Sequence, residues 1–248
     1  KPFYAFRTIT FPLLLVALSL FLAYGLHARR LPHPLLRLQL FRARTFRVAV
    51  LGGFVTRLGV GGMPLLLPLL FQLGLGLPAW QSGLLMMPAA AAAMVMKVVS
   101  TALLRRFGYR RVLIVNTLLV ALIMAGFSLI TSATPIVVIV AMGLTMGLAN
   151  SLQFSSMNTM AYADIADNEV SMASTLASTL QQMSLSFGLA CGSLVTAYYL
   201  AELPQSNPAA VLGALHSAFL TLAVMTAISS LSFWSLRAGD GENISRAD

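Results

Sequence analysis

Apolar residues run through this chain in long blocks, and polar residues collect in the breaks between them. A helix needs about 20 apolar residues to cross the hydrocarbon of a bilayer. Seven blocks reach that length: Thr8–Leu26, Phe46–Phe71, Gln81–Leu104, Val112–Ile130, Pro135–Met160, Ser171–Leu200 and Val211–Leu236. The pattern predicts an all-α integral membrane protein with seven transmembrane helices. The breaks Gly74–Trp80 and Ser132–Thr134 are uncharged and so short that the helices flanking each must run antiparallel. On that same side only the break around Ala201–Pro208 is longer.

The first block stands apart from the rest. It is followed by a segment, Leu31 to Phe46, that alternates Leu and Phe with Arg, as an interfacial segment does when its apolar side chains enter the acyl boundary and its arginines stay at the headgroups. The expected organisation is a linker transmembrane helix over 1–30, a basic amphipathic linker over 31–46, a six-helix bundle over 47–237 and a tail over 238–248. Six spans suit two three-helix units of inverted orientation, although no repeat is visible between the halves.

Composition agrees with a lipid-solvated chain. Of 248 residues 58% are hydrophobic and 9% charged, and the mean hydropathy is +0.85, where a soluble domain carries about 25% charged residues. The net charge of +9 does not point to nucleic acid, because its distribution is topological. Arg29, Arg30, Arg37, Arg42, Arg44 and Arg47 lie between the first two blocks, Arg105, Arg106, Arg110 and Arg111 between the third and fourth, and Arg237 and Arg246 after the seventh. If the spans alternate, all of these fall on one side, which the positive-inside rule makes cytoplasmic. The N-terminus of the chain is then outside and the C-terminus cytoplasmic. An odd count of spans beginning outside leads us to expect the C-terminal part of a longer protein. Cys191 is the single cysteine, so no internal disulfide and no thiolate metal site is expected, nor any cofactor.

Charges inside the blocks are candidates for function, since a charge at bilayer depth is costly unless it faces a polar cavity or a partner. Arg57 lies ten residues after Arg47, about 15 Å along a helix, in a block rich in Gly and Pro that is able to kink over a cavity. Lys97 lies nearer its span end, where it either snorkels or, buried, loses its proton near neutral pH and serves in coupling. Asn150, Gln153, Gln181 and Gln182 are cavity candidates, whereas Gly143, Gly147, Gly188 and Gly192 form small-xxx-small pairs for close helix packing. No Asp or Glu lies within any block. An intramembrane enzyme would need paired acids, a metal cluster or a nucleophile with its base, and none is evident. A non-transporting, receptor-like protein fits the count of seven.

Arg105-Arg-Phe-Gly-Tyr-Arg-Arg-Val-Leu113 resembles the cytoplasmic loop pattern G-x-x-x-D-R-x-G-R-R of the major facilitator superfamily, matching at Arg106, Gly108 and Arg110. It departs where Thr101 stands for the first Gly, Arg105 for the Asp and Tyr109 for an Arg. Together with Leu38–Phe46, Arg57, Gln72–Gly76, Gly83–Pro88, Lys97 and Phe154–Thr159, it is similar to the fourteen-helix drug:proton antiporter branch of that superfamily. The resemblance implies the last linker helix followed by the second six-helix bundle, a first six-helix bundle elsewhere, and proton-coupled export of small molecules across the bacterial inner membrane by alternating access. It also implies that the second and fifth blocks, with Arg57 and Asn150, line a central cavity. A facilitator for an anionic or zwitterionic metabolite is the alternative that the two positive charges within the blocks, Arg57 and Lys97, suggest.

Overall fold

The computed structural model describes residue 19, residues 38–201, 207–237 and 239–241. Apart from residue 19, the predicted span Thr8–Leu26 lies outside these residues, as does most of the basic linker. The chain divides into two compact units, Lys1–Gln39 and Leu40–Asp248, and the second holds the helical bundle.

Six helices in it are long and apolar enough to cross a membrane. We label them α1 (Arg44–Gly74), α2 (Ala79–Phe107), α3 (Tyr109–Phe127) and α4 (Ile136–Ala161), then α5 (Val170–Leu200) and α6 (Pro208–Ser229), the last extended by a 3-10 segment at Ser230–Ser235. Among the described residues there is no strand. Each helix overlaps one of the last six predicted blocks to within a few residues at either end. A 3-10 turn at Leu38–Arg42 precedes α1, with Leu40 and Phe46 buried against the bundle and Phe41 edge-on to Phe46.

Two boundaries differ from expectation for identifiable reasons. The arginines predicted to lie between α2 and α3 are helical. Arg105 and Arg106 occupy the last turn of α2, Arg110 and Arg111 the first turn of α3, and the reversal is made by Gly108 at φ 74°. That left-handed conformation is open to glycine at little cost. The second difference is that α1 begins at Arg44 and is irregular. It has π turns at Val48–Gly52 and Leu70–Gly74, and two α segments, Gly53–Val60 and Met63–Leu69, that meet at Gly61–Gly62. Pro64 and Pro68 lack the amide that would continue the ladder.

The packing is ordered by helix pairs. α1 lies along α5 and α6, α4 along α2 and α3, and α3 along α6. Exchanging the first three helices for the last three maps these pairs onto one another: α1–α5 becomes α4–α2, and α1–α6 becomes α4–α3. The first three helices and the last three thus pair with one another in corresponding ways, although no repeat is visible in the sequence. The same device serves both long pairings. Gly188 and Gly192 of α5 rest on the backbone of Gly61 and Gly62 of α1, and Gly147 of α4 rests on Ala89 of α2. Ser151, one turn beyond Gly147, donates to the Ala93 carbonyl at 2.8 Å. Small residues here let dispersion act between backbones.

A buried apolar cluster joins Leu66, Leu70 and Phe71 of α1 to Met124 and Phe127 of α3, Met146 of α4, and Phe219 and Leu222 of α6. It occupies the half of the bundle away from the arginines. At the Arg-rich end polar contacts close the bundle. Thr45 donates to Asp164 at 2.9 Å. Arg44 grips Asp240 in a two-pronged ion pair, with Nε to Oδ2 at 2.9 Å. Gly241, at φ 81°, lies against the ring of Tyr109.

Candidate functional site

Arg57 sits in the middle of α1, half-buried. Its side chain folds back toward the Arg-rich end, because Gly53, one turn earlier, has no Cβ to obstruct it: a Cβ there would stand 2.7 Å from Arg57 Nη1. The guanidinium carbon lies 5.6 Å from the centre of the Phe154 ring on α4. A cation over an aromatic face gains about 0.5–2 kcal/mol depending on desolvation. No carboxylate pairs with it among the described residues. A crevice of about 20 Å³ beside it is lined by Ala49 and Val50 of α1, Met157 and Asn158 of α4, and Gln181 of α5. That is room for about one water. Thus α1, α4 and α5 bring one cation, one aromatic ring and two amides to the same place.

The other predicted residues are spread through the bundle. Gln181 borders the Arg57 crevice, and its neighbour Gln182, about 100° round the helix, is exposed on the α5 surface. Gln182 belongs to an exposed polar stripe with Ser171, Ser174, Ser178 and Ser186. Ser178 and Ser186 donate within the helix, to the carbonyls of Thr175 and Gln182, but a glutamine amide needs partners beyond its own backbone. Asn150 is half-buried on α4, three residues beyond Gly147. Gln153 is buried between α3 and α4. It accepts from Asn116 Nδ2 at 2.7 Å and donates to Thr117 Oγ1 at 2.8 Å, so both ends of its amide are engaged in helix packing. Lys97 is exposed on α2 among exposed apolar neighbours, Met94 and Val98 included. Arg106, Gly108 and Arg110 stand together at the α2–α3 reversal. His216 binds the Ile130 carbonyl at 2.8 Å.

Three residues with a part in these contacts were not named as site candidates from sequence. Phe154 and Asn158 are four apart on α4 and so share a face with each other, and Asn116 is a lone amide in an apolar block. Both signals were present in the chain. Among the described residues no group of His, Cys, Asp and Glu is arranged to hold a metal, and no buried side-chain polar atom lacks a hydrogen bond.

A bundle of six membrane-length helices, apolar outside and with a few polar groups converging from three of them, is that of a multi-pass α-helical membrane protein. Residues 2–189 match the Major Facilitator Superfamily, and the chain belongs to that family of transporters, which sets aside an enzymatic role. Its similar relatives include MdtD proteins, named as candidate multidrug resistance proteins. That of Pectobacterium atrosepticum is 36% identical over 227 residues, 90% of this chain and 48% of the relative. That of an Enterobacter species is 34% identical over 238 residues, 96% of this chain and 50% of the relative, and that of Yersinia enterocolitica is 30% identical over 236 residues, 93% of this chain and 49% of the relative. The chain spans about half the length of the curated relatives it matches.

Proposed function

We propose that this chain is the C-terminal half of a proton-coupled exporter of small molecules that works by alternating access, seated in the bacterial inner membrane with its Arg-rich end in the cytoplasm. Arg57 carries the reading. A cation with no carboxylate partner among the described residues, held by Phe154 and bordered by Gln181 and Asn158, is placed to meet a substrate or a counter-charge from outside this bundle. The exposed stripe of α5 around Gln182 supports the same arrangement, because uncharged amides turned to lipid would lack partners and a polar hollow supplies them. α2 and α5 are the least covered of the six helices, which suits faces that meet a first six-helix bundle across the substrate path. Lys97 on α2 is the candidate for coupling within this half, and Asn150 completes the α4 side of the path.

A substrate with an acidic or zwitterionic group is the second reading, favoured by one observation. Within this half the crevice offers a guanidinium and neutral amides and no acid.

The test uses full-length protein in liposomes under an imposed pH gradient. Uptake of a fluorescent amphipathic cation and of a radiolabelled organic anion should each be followed. Gradient-driven movement of either supports the reading and picks the substrate class. Movement of neither, or movement indifferent to the gradient, overturns proton coupling. Arg57→Ala should reduce transport at least tenfold, whereas Arg42→Ala, outside the crevice, should leave it within twofold. Equal rates for both would remove Arg57 from the path.

A further inference from the structure

We propose that a cavity at the Arg-rich end of the bundle binds the headgroup of an anionic glycerophospholipid of the adjoining leaflet. The cavity is about 850 Å³ and lies between the α2–α3 reversal and the turn after α6. Arg105, Arg106, Arg110, Arg111 and Arg237 line it. Asp240 is the only acid on its wall among the described residues. Its carboxylate is already engaged, by the Arg44 guanidinium and by the Arg237 amide at 2.8 Å. Arg110 and Arg111 stand in the first turn of α3, where the helix dipole adds to their positive charge. The arginines outnumber that one acid, so the wall carries a net positive charge. Guanidinium forks meet phosphate oxygens two at a time.

Three features select a lipid over a free anion. Trp234 and Phe107 on the wall are 61% and 49% exposed. They sit where α6 and α2 end, the level at which aromatic rings gather at a membrane interface. The cavity is many times larger than a phosphate ion and leaves room for a glycerol backbone whose acyl chains follow the helices down. Basic hollows between spans at the cytoplasmic surface are where anionic headgroups bind. The inference needs the six helices to span a bilayer and does not depend on what the protein moves, so its test reads binding alone.

Full-length protein in phosphatidylcholine nanodiscs would be titrated with short-chain phosphatidylglycerol and cardiolipin, with binding read by native mass spectrometry. Arginines near a membrane surface each change such binding about fivefold. Arg110→Gln with Arg111→Gln should then weaken it on the order of 25-fold. The charge-matched pair Arg42→Gln with Arg47→Gln, outside the cavity, should stay within twofold. Should the first pair not fold, as judged by size-exclusion elution, Arg237→Gln alone carries the comparison, with about a fivefold loss expected. Equal weakening in cavity and control variants would show diffuse attraction and overturn the site. Displacement of the lipid by millimolar inorganic phosphate, but not by chloride at the same ionic strength, would mark a free-phosphate site and overturn the lipid assignment.

Discussion

Adding one methyl group at Gly147 tests the helix-pair architecture most directly. A Cβ there would lie 2.7 Å from the Ala89 Cα and closer still to the Ala89 carbonyl oxygen. Carbon atoms settle at about 3.5–4.0 Å, so α4 and α2 must part by roughly 1 Å along the stretch where they touch. The obstructing atoms are backbone, which cannot rotate aside as a side chain does. Overpacking of this kind costs about 1–3 kcal/mol, against a gain in helix propensity of about 1 kcal/mol for Gly to Ala. The net expectation for Gly147→Ala is a loss of up to about 2 kcal/mol. Separation would also remove the Ser151 bond to Ala93, one turn along. The assay is the unfolding free energy of detergent-solubilised protein, from titration with SDS. Gly83→Ala on α2 is the control, since a Cβ there meets nothing within 4 Å, and it should be neutral or stabilising. If Gly147→Ala matched Gly83→Ala, α2 and α4 would not approach as described, and the correspondence between α1–α5 and α4–α2 would lose its basis.

Other expectations rest on single contacts. Gln153→Leu should cost about 0.6–2 kcal/mol, the range for interhelical hydrogen bonds in membranes, and a double-mutant cycle with Thr117→Val should show coupling; additive effects would mean that the two side chains do not meet. Burial raises the Asp240 pKa, but the hydrogen bonds from Arg44 and from the Arg237 amide, with the charges of both arginines, outweigh it and hold the carboxyl below its ordinary 3.8. A carboxyl lowered in this way stabilises its fold above the unfolded pKa and ceases to do so as pH falls through the folded one. Hydrogen exchange at the Arg237 amide, corrected for intrinsic rate, should therefore be constant from pH 7 to about 5 and accelerate only below about 4; Asp240→Asn should accelerate it at pH 7, and an unchanged rate would contradict the clasp. Gly188→Ala should impair stability much as Gly147→Ala does, because its Cβ would meet the Arg57 carbonyl; full stability in the same SDS titration would argue against contact between α5 and α1.

The helices were legible because hydropathy alone sets where a chain can be solvated by lipid. Length placed six of the expected spans to within a few residues; of the glycines at small-xxx-small spacing, Gly147, Gly188 and Gly192 closely approach backbone of another helix, whereas a Cβ at Gly143 would make only an ordinary contact, 3.7 Å from the Leu85 carbonyl oxygen. Partner choice was not legible. Nothing in one sequence says that Gly188 meets Gly61 or that Gly147 meets Ala89, since small residues fit any smooth face. Nor does it separate an amide facing a hollow from one spent on packing. Gln153 and Gln181 are alike by composition and depth, yet one is engaged at both amide ends by Asn116 and Thr117 while the other borders the Arg57 crevice. The arginines at the α2–α3 reversal looked like loop residues because charge suggests water; the single glycine at 108 suffices for the turn, leaving them helical.

The clasp between Arg44 and Asp240 joins the first turn of α1 to the chain just beyond α6. The bundle thus begins and ends at one point on one face. A unit with adjacent ends behaves as a cassette, spliced beside another set of helices without rerouting either. Moving the chain's opening to the short Ser132–Thr134 connection, with a linker bridging 44 and 240, should then give a circular permutant that inserts and assembles as the original does.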